Sequence, residues 1–369
     1  MKGLTSRMQR NVPRARIDAY LVHSLSTSTT QPTMVYVGID VHDRYCQVAI
    51  LDDDSNQLEE HRIPTERDEL EEFAREHSGA QAAIEATRNY RFVYDSLEPE
   101  LDVSVANPHE TGLIGDQKVK SDRLDAKRLA VLLRVDALAT SYIPPDEFRE
   151  ARKLVRRRKA LVEDRTSAKN RVRSALADRG VSYDGDLFGQ DGREFLADEE
   201  LPLSEADRQI IEADLSVIET LDEQIAQLQA EIDEIATTWE ETQLLMTIPG
   251  VGPVLSATIV AEIGEIERFS SKKQVVSYAG LDPRVRQSGE KETTQSITKE
   301  GPPVLRWALG QSVLNVVKYD SALGNFYTRM KRRKQNQKAM VAAMRKLLVW
   351  MHAMLSKEEE YNPPKVAPA

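Results

Sequence analysis

The feature that most constrains this chain is the run Val35-Tyr36-Val37-Gly38-Ile39-Asp40-Val41, an apolar stretch, rich in β-branched residues, that carries one carboxylate near its end. Such a run predicts a buried strand, and a carboxylate in a buried strand is costly unless a proton, a donor or a cation holds it. A short polar turn, His42-Asp43-Arg44, leads into a second strand-like run over 45–51, and Asp52-Asp53-Asp54-Ser55-Asn56 makes the next turn. The pattern is a β-meander that begins on the strand of Asp40. An aspartate that merely ends a strand is common, so the meaning of Asp40 depends on where the other acids fall.

Residues 58–64 continue as a third strand, and 66–77 form an amphipathic helix with Leu70, Phe73 and Ala74 on one face. A fourth strand over 80–86 is again apolar with an acid, Glu85, at its end. A helix over 89–97 and a strand over 103–106 follow, giving the order β-β-β-α-β-α-β. Ser121 then caps a further helix whose first turn carries Asp122 and Asp125. Residues at i and i+3 share a face, where like charges repel by a few tenths of a kcal/mol. The positive end of a helix tolerates them, so acids in a first turn are also ordinary structural residues.

Four carboxylates, Asp40, Glu85, Asp122 and Asp125, thus stand at strand ends and at a helix start. A sheet of this order with acids at its first strand, its fourth strand and a later helix is the arrangement of ribonuclease H-like nucleases. There the acids gather divalent ions that clamp the oxygens of a phosphodiester. Hard oxygen ligands point to Mg²⁺, with Mn²⁺ as a substitute, rather than zinc. The single cysteine, Cys46, excludes an intrachain disulfide, and the six histidines show no zinc-ligand spacing with it.

The net charge of −10 and a pI near 5.3 argue against a nucleic-acid partner when taken as sums. Their distribution argues otherwise. Acids crowd into 52–76, 194–241 and 356–360, and bases into 149–179 and 329–346, so positive surfaces can persist on an acidic body. An acid-rich coat is also what a protein of a high-salt cytoplasm carries. No apolar run reaches the length of a membrane span and the N-terminus lacks a secretory layout, so a cytoplasmic protein with no membrane partner is expected. At 369 residues the chain holds two or more domains.

Five domains or segments are predicted: a disordered extension over 1–33, an α/β domain over 34–148, a helical arm over 149–240, a mainly α-helical domain over 241–354 and a disordered tail over 355–369. The arm opens with a helix dense in arginine and lysine. A solvated face is the ordinary reading of such a run, but Arg156, Arg157, Arg158, Lys169 and Arg173 make phosphate contact the better one here. Residues 180–203 read as a connection or hairpin tip. A second long helix over 204–239 repeats Ile218, Ile225 and Ile232, and Leu221, Leu228 and Ile235, at seven-residue spacing, the seam of an antiparallel coiled coil.

In 244–264 an Ile248-Pro249-Gly250-Val251-Gly252 turn joins two apolar helices, as in a helix-hairpin-helix whose Gly250 and Gly252 free backbone N–H groups for a phosphate. A packing turn fits the same residues. Ser288 lies in the polar stretch Arg286-Gln287-Ser288-Gly289-Glu290-Lys291, where a serine before glycine is usually only a turn residue. An apolar helix from Trp307 and a basic helix over 329–346 complete the chain, and 361–369 reads as disordered.

From 34 to about 354 the sequence resembles one family, the insertion-sequence-110 transposases, whose N-terminal DEDD domain is similar to the junction resolvase RuvC. The tetrad falls on Asp40 in GIDVH, Glu85 in IEATRNY, and Asp122 and Asp125 in KSDRLDAKRLA. The C-terminal likeness rests on IPGVGPVLSATIVAEIG and YAGLDPRVRQSGEK. The resemblance implies a recombinase that cuts and joins DNA as a homo-oligomer, a dimer or tetramer, and that an element-encoded guide RNA directs. It places the nucleophilic serine at Ser288, used together with the DEDD acids of another subunit. Pro302-Pro303 after Gly301 departs from the polar pair usual there. The rival readings are a structure-selective endonuclease that uses water, and a non-catalytic nucleic-acid-binding protein.

Overall fold

The computed structural model describes residues 34–52, 58–107, 121–288 and 291–363, and of 284–295 the backbone alone. The predicted extension over 1–33 lies outside the described residues, as do 364–369. The chain divides into two compact units, residues 1–143 and 144–369, each with its own core.

The first unit is built on a six-stranded mixed sheet in the order β3-β2-β1-β4-β5-β6. β1 (Val35–Val41), β2 (Tyr45–Asp52) and β3 (Leu58–Pro64) form the antiparallel meander that the alternation of runs and turns predicts. β4 (Gln81–Glu85) and β5 (Asp102–Ala106) add in parallel after crossovers through α1 (Arg67–Glu76) and α2 (Tyr90–Leu97), and the two-residue β6 (Thr140–Ser141) closes the edge. Leu70, Phe73 and Ala74 of α1 are buried, as their spacing requires, in a core with Val37, Ile39, Val48 and Ile84. α3 (Asp122–Arg134) buries Ala126, Leu129, Ala130 and Leu132.

The second unit is helical apart from one hairpin. α4 (Asp146–Ala177) is followed by α5 (Gln190–Leu196) and α6 (Glu205–Thr238). Arg158 bonds Gln229, Arg165 pairs with Asp222, Arg171 with Asp214 and Arg179 with Asp207, so α4 and α6 run antiparallel. Ile218, Ile225 and Ile232 are buried, while Leu221, Leu228 and Ile235 are half-buried. The stretch 180–203, read from sequence as a connection or hairpin tip, contains α5 and a small core in which Leu187 and Leu196 meet Val172, Leu176 and Ile211.

Beyond it come α7 (Glu240–Met246), α8 (Pro253–Ile263), a 3-10 turn, α9 (Lys272–Tyr278), the hairpin β7 (Pro283–Ser288) and β8 (Lys291–Ile297), then α10 (Pro303–Tyr319), α11 (Ser321–Arg333) and α12 (Asn336–Leu355). The apolar helix starts at Pro303 and not at Trp307, because Pro302 stands at its N-cap and Pro303 at its first turn, where a missing N–H is harmless. The basic helix over 329–346 is two helices: Lys334 leaves the helical conformation with φ −140° and ψ 161° and divides α11 from α12. The expected tail is also ordered as far as residue 363. The Tyr361 hydroxyl donates to Asp320 Oδ2 at 2.8 Å and its N–H to Thr247 Oγ1 at 2.9 Å, which ties the segment after α12 to two earlier elements.

Candidate active site

Asp40 is the sixth residue of β1, and the parallel pairing of β1 with β4 runs to Ile39 opposite Ile84. Glu85, the next residue of β4, therefore closes its strand at the level of Asp40. The C-terminal ends of parallel strands are where open α/β sheets place their chemistry. Asp122 and Asp125 arrive from α3, whose N-terminus is capped by Ser121 accepting from the Leu124 N–H at 3.4 Å. What lets this helix reach the strand is Gly38. A Cβ there would stand 1.9 Å from the Ala126 carbonyl oxygen and 2.5 Å from the Ala130 nitrogen, so α3 lies directly on the β1 backbone.

At this junction His42 Nε2 lies 3.0 Å from Asp40 Oδ2 and 3.3 Å from Asp122 Oδ2. The Tyr45 hydroxyl donates to the same Asp122 oxygen at 2.8 Å. Asp40, His42 and Asp122 each offer a ligand atom within 4.8 Å of one another. Glu85 and Asp125 stand outside that triad. Asp125 accepts instead from Arg128 at 3.0 Å, one turn on along α3.

Burial, hydrogen bonding and the mutual repulsion of the acids set the electrostatics of the cluster. Asp40 is 8% exposed, and burial pushes its carboxyl above the usual range. His42 pulls it back, and the charges of Asp122 and Asp125 raise it again. The Tyr45 hydrogen bond holds the Asp122 carboxyl below its usual range. One acid is thus ready to ionise and the other is held back mainly by desolvation, an imbalance that a divalent ion between them would remove. Two carboxylates and an imidazole within one coordination radius fit such an ion, and the oxygens favour a hard one.

Sequence reasoning did not single out His42 or Tyr45. His42 follows Asp40 at i+2, the spacing that returns a side chain to one face of an extended strand, and this was the available signal. Tyr45 carried none, since the turn that brings it back, with the His42 N–H donating to the Tyr45 carbonyl at 3.0 Å, is a tertiary matter.

The other candidates fall elsewhere. Ser288 ends β7, its backbone registered against Lys291, and is a strand residue and not a loop residue. Gly250 adopts φ +93°, and a Cβ there would stand 3.0 to 3.1 Å from the backbone and Cβ of Asn315 and the nitrogen of Val316. The Pro-Gly turn is therefore packed on α10, while Gly252 faces open space.

The arginines of α4 are largely committed within the fold. Arg156, expected to meet phosphate, makes a bidentate pair with Glu262 at 2.7 and 2.8 Å, and the Glu262 side chain has no solvent exposure. Arg158 donates to Gln229 at 2.8 Å. Lys169 and Arg173 both lie 4.9 Å from the ring of Phe188, and Arg157 is exposed.

Comparison with known proteins decides the class. A DEDD-type transposase profile matches residues 37–179, and a profile described as "Transposase IS116/IS110/IS902 family" matches 242–328. The chain belongs to the IS110 family of transposases. Similar proteins include the transposase for insertion sequence element IS1111A of Coxiella burnetii, 26% identical over 68% of this chain and 73% of that one. The transposase for IS1328 of Yersinia enterocolitica is 27% identical over 55% and 63%, and a pilin gene-inverting protein of Moraxella bovis is 34% identical over 37% and 45%. The mixed sheet of the transposase, apart from the first two residues of β1, lies inside its DEDD-type segment and agrees with a ribonuclease H-like domain, and its C-terminal region is helical. Among the described residues no helix of the transposase is long and apolar enough to cross a membrane.

Proposed function

We propose that this transposase cuts and rejoins DNA by Mg²⁺-dependent phosphoryl transfer, with Ser288 as nucleophile, as a homo-oligomer directed by a guide RNA. The observation that carries the reading is the convergence of Asp40, His42 and Asp122 where β1 ends and α3 begins. Asp40 and Asp122 hold the ion, and Glu85 and Asp125 complete the acidic set from the adjoining strand end and helix turn. Bound there, Mg²⁺ or Mn²⁺ supplies Lewis-acid stabilisation of the phosphodiester oxygens.

The protein's own groups do the rest. Tyr45 fixes the Asp122 carboxylate through its hydrogen bond, and Gly38 sets the height of α3 over the strand. Ser288 Oγ bonds to phosphorus as the bond to O3′ breaks, Oγ losing a proton and O3′ gaining one, and a 5′-phosphoserine ester remains for the joining step. A hydroxyl is a weak nucleophile until its proton is drawn off. The antiparallel α4 and α6 form a coiled-coil arm. Arg157, Lys169, Arg173 and the open Gly252 turn remain available for phosphate, whereas Arg156, Arg158 and Gly250 serve packing.

Cleavage of DNA carrying the element's ends, assayed in Mg²⁺ and in EDTA, tests the metal centre: Asp40→Ala and Asp122→Ala should be silent. A suicide substrate tests the serine. Wild type should retain DNA through denaturation, peptide mapping should place the bond at Ser288, and Ser288→Ala should bind DNA yet give no joined product. Cleavage by Ser288→Ala near the wild-type rate would leave the endonuclease reading, with water as nucleophile, in its place.

A further inference from the structure

The transposase chemistry uses nothing beyond β8, yet the longest run of lysines and arginines uninterrupted by an acid lies there. Between Asp320 and Glu358 the chain carries nine lysines and arginines and no aspartate or glutamate, within a protein of net charge −10. The densest part is the corner between α11 and α12, where Lys331, Arg332, Arg333, Lys334 and Lys338 are all exposed. Among the described residues none of these five is in an ion pair. The contrast with α4 is direct, since Lys153, Arg156, Lys159, Arg165 and Arg171 there each face an acid.

Helix stability does not explain the corner. Cations in the last turn of α11 suit the negative end of that helix, but Lys338 stands in the first turn of α12, where a cation is unfavourable and where no acid offsets it. Solubility does not explain it either, because added positive charge brings an acidic chain nearer neutrality. The corner also has ring faces beside its cations. Lys331 Nζ lies 5.6 Å from the Tyr327 ring, and Lys346 lies 4.4 Å from Phe326 and 5.3 Å from Trp350. Burial, and after it the charge of Arg329, lowers the affinity of the Lys346 amine for its proton, while the charge of Asp320 opposes the change.

We infer that the α11–α12 corner is a nucleic-acid backbone site: Lys331, Arg332, Arg333, Lys334 and Lys338 take the phosphates of a duplex or a folded RNA. Its ligand class is the phosphodiester backbone, read without sequence preference. The corner lies past residue 328, outside both matched family segments. It needs neither the metal nor Ser288, so binding in EDTA tests it apart from the strand-transfer reading.

The test is the salt dependence of binding by the full-length protein to a random-sequence DNA duplex and, in a second arm, to a base-paired RNA hairpin. Lys331→Ala, Arg332→Ala, Arg333→Ala and Lys334→Ala combined should weaken binding by roughly tenfold or more at low salt and reduce the log–log salt slope by about 3 to 4. The charge-keeping pair Lys331→Arg and Lys334→Arg should leave the slope unchanged, as should Lys272→Ala with Lys273→Ala, a second exposed basic pair in the same unit. A loss confined to one arm identifies DNA or RNA as the ligand. An unchanged slope in both arms for a quadruple variant of wild-type melting temperature would overturn the site, as would an equal loss from the Lys272 and Lys273 pair.

Discussion

Asp122 owes its lowered proton affinity to a tyrosine three residues after His42. The hydroxyl both charges the carboxylate and fixes its direction, and ligand direction is what a hard metal ion selects on. Tyr45→Phe should therefore raise the Mg²⁺ needed for half-maximal cleavage by about tenfold and leave the fold intact, readable as an equal weakening of Mn²⁺ binding by calorimetry. Asp40 sits on the other side of the balance. Its carboxyl is pushed up by burial, so the folded protein holds that proton more tightly than the unfolded chain does. The stability tied to it is present below the ordinary aspartate range and is lost as pH rises through the raised value. In EDTA near pH 7.5, Asp40→Asn should melt a few degrees above wild type, with the gap narrowing as pH falls; a melting temperature below wild type at every pH would contradict this. These pairings were only half legible in the sequence. The acids stood out because carboxylates are rare in apolar runs, whereas Tyr45 and His42 look like any turn residues until the chain folds.

At the scale of elements, the site depends on one helix lying flat on one strand. Gly38→Ala would place a methyl inside the α3 backbone, so α3 must rise or tilt and carry Asp122 with it. Overpacking of this kind costs about 1–3 kcal/mol, and a melt lowered accordingly together with lost cleavage is the expected result. The arginine-dense α4 illustrates the opposite lesson. Its charge run was plain in the sequence, but most of the partners that hold its arginines come from α6 and α8, at separations of 43 to 110 residues. Arg156→Ala should cost about 2–3 kcal/mol by leaving Glu262 buried without its partner, and it should leave the salt slope of DNA binding where it was. A slope reduced by a full contact would return Arg156 to the nucleic-acid surface. The heptad seam fared better, because periodic burial is a local property: Ile218, Ile225 and Ile232 are buried as their spacing implies.

Across the whole molecule, two units have separate cores, and the proposed metal centre falls in the first and the proposed basic corner in the second. Hydrogen exchange on adding Mg²⁺ should show gained protection in β1, the end of β4 and the first turns of α3, while α10 to α12 stay unchanged, because a ligand stabilises what it contacts in the native state. Gains spread evenly over both units would argue against a metal centre confined to the first. Charge is also organised at this scale, with acids over most of the chain and an unopposed basic corner after α11.

The sequence by itself determined the strand and helix order of the first unit, the meander, the capped start of α3 and the four acids in their order. Each of these follows from apolar periodicity, capping chemistry or the cost of a charge in an apolar run, all of which act over a few residues. Only the tertiary structure decided which charges are free. It spent Arg156 on Glu262, gave Gly250 to packing against α10, brought His42 and Tyr45 to Asp122, and broke the basic segment into two helices at Lys334. Ion pairs, ring contacts and close backbone approaches join residues far apart in the chain, and no local pattern encodes which partner a charge will meet.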